Sequence, residues 1–206
     1  MRTKALLFSL FVAIGLQLQA ATLTVTNGNA SGAGSFAQAY TDAVAGDIIT
    51  FNFDGTELSL TDAIVMKSIT IDGFNSYNGY KLVLKQTTAS KSFFTLASGV
   101  TATFKNIVFD GTGVLGNTAL TAANGSTLNI DGCIFKNINA QANNGGAARI
   151  QGTATITNSL FEANITGGGY GGGALCIYNA ATVTVDKCSF VGNTSNANGN
   201  SGGGAI

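Results

Sequence analysis

The side chains able to do chemistry in this 206-residue chain are few, and none of them is a histidine. That removes the Ser-His-Asp triad, histidine acid–base pairs and the common zinc sites. Carboxylates remain, and glycoside hydrolysis needs only two. They are Asp42, Asp47, Asp54, Glu57, Asp62, Asp72, Asp110, Asp131, Glu162 and Asp186. Asp131 and Asp186 fall at the same place in a recurring unit, two units apart with Thr157 between them. At strand spacing that is roughly 9.6 Å, the separation of an inverting pair. An aspartate at such a bend is more often a turn former, and no other feature supports catalysis there. Gly111-Thr112-Gly113-Val114-Leu115-Gly116 fits the dinucleotide pattern G-x-G-x-x-G, but the stretch after it is strand-like rather than helical, so it cannot present a helix N-terminus to a pyrophosphate. The calcium nonapeptide also fails, because Gly167–Leu175 has no aspartate. Beyond residue 20 the only arginine is Arg149, with no acidic cluster beside it, so a calcium-dependent lyase site is not expected. No catalytic, metal-binding or cofactor-binding residue is assigned, and no cofactor is expected.

The elements that position these groups come from a repeat. TATFKNIVF (Thr101–Phe109), TLNIDGCIF (Thr127–Phe135), TATITNSLF (Thr153–Phe161) and TVTVDKCSF (Thr182–Phe190) are one nine-residue unit, with terminal phenylalanines 26, 26 and 29 residues apart. A period of that size marks a solenoid, in which each coil buries its apolar face only against its neighbours. Alternation places Ala102, Leu128, Ala154 and Val183 inward, then Phe104, Ile130, Ile156 and Val185. After a bend come Ile107, Cys133, Ser159 and Cys188, and finally the phenylalanines. A further strand precedes the last three units at Thr118–Ala122, Gly146–Ile150 and Gly173–Ile177, with Arg149 and Cys176 pointing outward and Cys176 accessible. Like residues at like places predict parallel, in-register stacking. Cys133 and Cys188, two coils apart, are too distant for a disulfide.

Weaker strand patterns precede the repeat at Ile48–Phe53, Ser68–Phe74, Tyr80–Leu84 and Ser92–Ser98. A helix is predicted over Gly34–Ala45, with Ser35 as N-cap, Phe36, Tyr40, Ala43 and Val44 as its apolar face, and Gly46 as its stop. Such a helix would cover the first coil. Residues 1–20 read as a signal peptide: Arg2 and Lys4 precede the apolar run Ala5–Leu16, with cleavage near Ala20. The domain reading is 1–20 signal peptide and 21–206 β-helix. The latter divides into 21–47 (N-terminal strand and capping helix), 48–100 (irregular first coils) and 101–206 (regular coils, the last incomplete). The chain reaches Ile206 on the first residues of another coil, so a longer protein with an uncapped C-terminal end is expected here.

Removing Arg2 and Lys4 from the ten basic residues leaves eight against ten acids, a net charge of about −2 with no basic cluster. Nucleic acid and anionic membrane surfaces are therefore not expected partners, and no transmembrane helix is expected after signal removal. Oligomeric state is left open.

Gly172-Gly173-Ala174-Leu175 followed by Phe190-Val191-Gly192-Asn193 resembles the GGA(I/L/V) and FxxN repeat pair of polymorphic outer membrane proteins. A second copy is Gly145-Gly146-Ala147-Ala148 with Phe161-Glu162-Ala163-Asn164, and a third opens at Gly203–Ile206. Phe135 departs, with Ile138 where the asparagine belongs. Gly34–Phe51 is similar to the capping helix and first strand of pectin-lyase-like proteins. The resemblance implies an all-β, right-handed parallel β-helix, exported to the outer membrane, cell surface or medium. It also implies a non-catalytic adhesion, display or structural role, with host or matrix glycans or proteins as partners. The Gly/Asn-rich loops Gln141–Gly145, Thr166–Gly172 and Thr194–Gly204 are the display candidates. The alternative is the N-terminal part of a polysaccharide lyase or glycoside hydrolase whose site lies in further coils.

Overall fold

The computed structural model describes residues 19–114, 116–141, 143–167, 169, 171–178, 180–196 and 203–206. The signal-peptide reading and the tip of the last loop lie outside the described residues, except at their edges.

The chain winds into a parallel β-solenoid. One face stacks β1 (Thr22–Val25), β2 (Ile48–Phe51), β5 (Thr70–Asn75), β8 (Thr101–Lys105), β11 (Thr127–Asp131), β15 (Thr153–Thr157) and β19 (Thr182–Asp186). The second stacks β3 (Glu57–Leu60), β6 (Tyr80–Gln86), β9 (Ile107–Asp110), β12 (Ile134–Lys136), β16 (Leu160–Glu162) and β20 (Ser189–Val191). The third holds β4 (Ile64–Val65), β7 (Phe94–Leu96), β10 (Leu120–Ala122), β14 (Ala148–Ile150) and β18 (Leu175–Ile177). A fourth, of two-residue strands, holds β13 (Asn139–Ala140), β17 (Ile165–Thr166) and β21 (Thr194–Ser195).

Register is as the repeat predicts. Thr127, Leu128, Asn129, Ile130 and Asp131 sit between Thr101–Lys105 and Thr153–Thr157, position for position. Phe109, Phe135, Phe161 and Phe190 stack face to face, with centroids 4.6, 5.0 and 4.8 Å apart and ring planes within 9° of parallel. The in-register ladder fixes that separation, because rings on adjacent strands inherit the strand spacing. Towards the N-terminus the column passes into edge-on contacts, Phe93 and Phe94 meeting Phe109 at 88° and 89°.

Bends recurring in the regular coils use the left-handed region, one before and, in the last three, one after the phenylalanine. Asn106, Gly132, Asn158 and Lys187 share it at the first bend, with φ between 51° and 63°. Asn, Gly and Asn suit that conformation, whereas Lys187 adopts it without the local side-chain bonding that eases asparagine. The GGA motif has a steric cause: Gly172 has φ +85°, and a Cβ on Gly146 would lie 2.1 Å from Gly173 O. The motif asparagines form a hydrogen-bonded ladder, Asn164 fully buried and Asn193 half-buried. Asn164 Oδ1 accepts from Ile138 N at 3.1 Å, and its Nδ2 donates to Phe135 O at 2.9 Å; Asn193 repeats both bonds one coil on, to Asn164 N and Phe161 O. Ser159, an inward polar residue, accepts from Cys133 N and donates to Thr157 O, which offsets its burial.

Two expectations need correction. The helix α1 spans Phe36–Asp42, shorter than Gly34–Ala45; Ser35 is its N-cap, accepting from Gln38 N, but the stop is Ala43, not Gly46. Val44 thus lies beyond the helix and is 51% exposed, while Ala39 takes its place on the buried face. Cys176 stands at the outward register position beside Arg149 of the adjacent rung but is only 7% exposed, against the expectation of an accessible thiol. Burial pushes its thiol up. Asp72-Gly73 lies inside β5, and the turn at Asn78-Gly79 makes β5 and β6 pair antiparallel through Phe74–Lys81 and Asn75–Tyr80.

Val183, Cys188 and Phe190 are inward but only half-buried, since the last described coil has a full neighbour on one side only. Residues 203–206 begin the next rung: Ala174 N and Leu175 N both donate to Ala205 O.

Candidate functional site

The two bend aspartates stand where the ladder puts them, Asp131 opposite Thr157 and Thr157 opposite Asp186. Their surroundings are those of turn residues. Asp131 Oδ1 accepts from Asn158 Nδ2 at 2.7 Å and from Thr157 Oγ1 at 2.8 Å, and these bonds hold its carboxyl below the ordinary range. A general acid needs the opposite, a carboxyl kept protonated by its environment. Asp186 lies 3.7 Å from exposed Lys187, facing solvent.

Other acids are also bound into the framework. Asp47 accepts from Ala21 N and Val44 N, joining helix to first strands. Asp72 accepts from Phe74 N and Asn106 Nδ2. Asp110 accepts from Thr112 and meets Lys136 at 3.3 Å. Glu57–Lys85 and Asp62–Lys91 are exposed ion pairs. Among the described residues no three of His, Cys, Asp or Glu cluster as metal ligands would. The Gly111–Gly116 loop leads into β10, a strand, so its glycines serve a turn. Cys133 is fully buried, which pushes its thiol up to about 12.

The display candidates are better ordered at their bases than the sequence suggests. β13, β17 and β21 open successive loops in register, so each loop leaves the body from the same edge. Bonds tie neighbours together: Thr166 Oγ1 donates to Asn143 O, and Asn144 Nδ2 to Tyr178 Oη at 3.1 Å. Alternation could not reveal strands of two residues.

A second exposed feature escaped the reading of motifs. The β5–β6 hairpin carries Phe74, Tyr77 and Tyr80, which are 49%, 61% and 66% exposed. Phe74 pairs with Lys81 and Asn75 with Tyr80, so Phe74 and Tyr80 point to opposite faces of the hairpin, each an exposed ring. The signal was present as Asn78-Gly79 between two tyrosines, a hairpin pattern.

No protein-family model matches the chain, and comparison with curated proteins finds no similar sequence. The class that the structure defines is the parallel β-solenoid. Among the described residues no helix is long and apolar enough to cross a membrane.

Proposed function

We propose that the chain is part of an exported bacterial surface or secreted β-helix protein that acts by display and adhesion rather than catalysis. The repeat pair shared with polymorphic outer membrane proteins supports this reading, as does the apolar leader over residues 5–16. The observation that carries it is the in-register ladder, which makes a stiff rod whose loops leave one edge at three successive rungs. Phe74, Tyr77 and Tyr80 add exposed aromatic rings on the hairpin, groups of the kind that stack on sugar rings or apolar peptide groups. Asp47, Glu57, Asp62, Asp72, Asp110 and Asp131 are engaged in framework hydrogen bonds and ion pairs, an arrangement that suits a scaffold.

The test is binding of the secreted protein to a glycan array and to extracellular-matrix proteins, beside a reducing-sugar assay on soluble polysaccharides. Retention on a defined glycan or matrix protein is expected, weakened in the triple variant F74A/Y77A/Y80A with unchanged melting. Release of oligosaccharides would overturn the non-catalytic reading.

A further inference from the structure

The second face of the solenoid begins one turn later than the first. After β1 the chain does not form a second-face strand; Thr26 N and Asn27 N both bond back to Gly34 O, and α1 follows. Among the described residues β3 is therefore an end strand, pairing with β6 alone. Val83 N donates to Thr56 O and Thr87 N to Leu60 O, with Leu58 opposite Leu84. In a parallel ladder this turns the backbone groups of Leu58 and Leu60 towards β6. The N–H and C=O of Glu57 and Ser59 point the other way.

They face a cleft of about 710 Å³ between β3 and α1. Phe36, Tyr40, Leu60 and Ile64 give it an apolar inner wall, and Glu57 and Asp62 are its only charged lining residues. Each carboxylate already pairs with a lysine at 2.8 Å, Glu57 with Lys85 and Asp62 with Lys91, but both lysines lie outside the lining and both pairs are exposed, so a further cation can compete for them. The cleft thus has the three features of a vacant rung: unpaired backbone groups, an apolar inner side and an acidic rim.

We propose that this cleft binds an extended basic peptide segment as an added strand parallel to β3. The peptide's backbone would bond Glu57 and Ser59, alternate apolar side chains would pack on Phe36 and Ile64, and a lysine or arginine between them would face Glu57 or Asp62. This is strand addition at a sheet edge, with backbone bonds giving affinity and the alternate pockets giving selectivity. The proposal does not depend on the display reading.

A fluorescein-labelled pentapeptide alternating lysine and valine tests it by anisotropy against the whole mature protein. Saturable binding is expected. It should fall at least about tenfold on backbone N-methylation of the peptide, the scale of a lost hydrogen bond. Exchange of its lysines for glutamates should also weaken it, and E57Q/D62N should abolish that preference. S59P removes one cleft-facing donor without breaking a bond to β6, so it should weaken binding with unchanged melting. Hydrogen exchange of the Ser59 amide in the wild type gives a reading that needs no variant: it should slow at least tenfold on peptide addition. Equal binding of the N-methylated or glutamate peptide, absence of saturation, or an unprotected Ser59 amide overturns the proposal.

Discussion

Replacing Phe161 by alanine probes the aromatic column where it is most enclosed. The ring is fully buried and lies between Phe135 at 5.0 Å and Phe190 at 4.8 Å, at 3° and 6° to them. The lost transfer energy and the cavity left behind together come to about 3–5 kcal/mol for a Phe→Ala change in a core. The surrounding rungs cannot close over the gap, because each is held at strand spacing by its own ladder. Phe190 has one described aromatic neighbour and is half-buried, so Phe190→Ala should cost about 1–2 kcal/mol, with less surface removed from water to lose. Phe161→Leu, which refills part of the slot, should fall between them. Urea denaturation of the mature protein, followed by far-ultraviolet circular dichroism, reads all three. Equal destabilisation by Phe161→Ala and Phe190→Ala would refute the claim that enclosure on both sides sets the energy.

Gly146→Ala brings a Cβ to 2.1 Å from Gly173 O and should destabilise by about 1–3 kcal/mol, whereas Gly116→Ala, with its nearest atoms at 3.9 Å, should be near neutral in the same melting assay. Asn164→Ala orphans Ile138 N and Phe135 O at a fully buried site, costing about 1–3 kcal/mol for each group left unpaired; hydrogen exchange should quicken at Ile138 first. Burial pushes the Asp110 carboxyl up, but bonds from Thr112 and the Lys136 ammonium outweigh it and set the carboxyl below 3.8. Its stabilisation is then complete above the unfolded value and lost as pH falls through the lower folded value. Asp110→Asn should accordingly be less stable than wild type at neutral pH, with the gap in melting temperature narrowing in acid; a constant gap would contradict this.

The regular coils were legible because their signals agree. Alternation, polar bends and a fixed period all place Leu128, Ile130 and Phe135 inward, and each is at most 1% exposed. The N-terminal coils were harder. Glu57–Leu60 has the right alternation but only four residues, and β2 meets β5 through a register shift between Ile49 and Phe51 that no periodicity foretells. Cys176 shows the limit of alternation, which gives a side chain's direction and not how much of it its neighbours bury. Val44 shows the limit of helical spacing, since the face was drawn past the point where Ala43 turns extended. Of the candidate site, the loop positions could be read from the repeat. The cleft beside β3 could not, because it arises from a strand that is missing on one face.

The interchangeability of the coils bears on how such a molecule changes over generations. Residues 127–152 begin on the threonine that opens β11 and stop just before the equivalent Thr153 of β15. Excising them would join Ser126 to Thr153 and set β15 on β8, with Ala154 meeting Ala102 and Phe161 meeting Phe109. Copying the same stretch would lengthen the rod by one layer. Reach can therefore be adjusted in whole steps by unequal recombination, with no need to invent a new architecture each time.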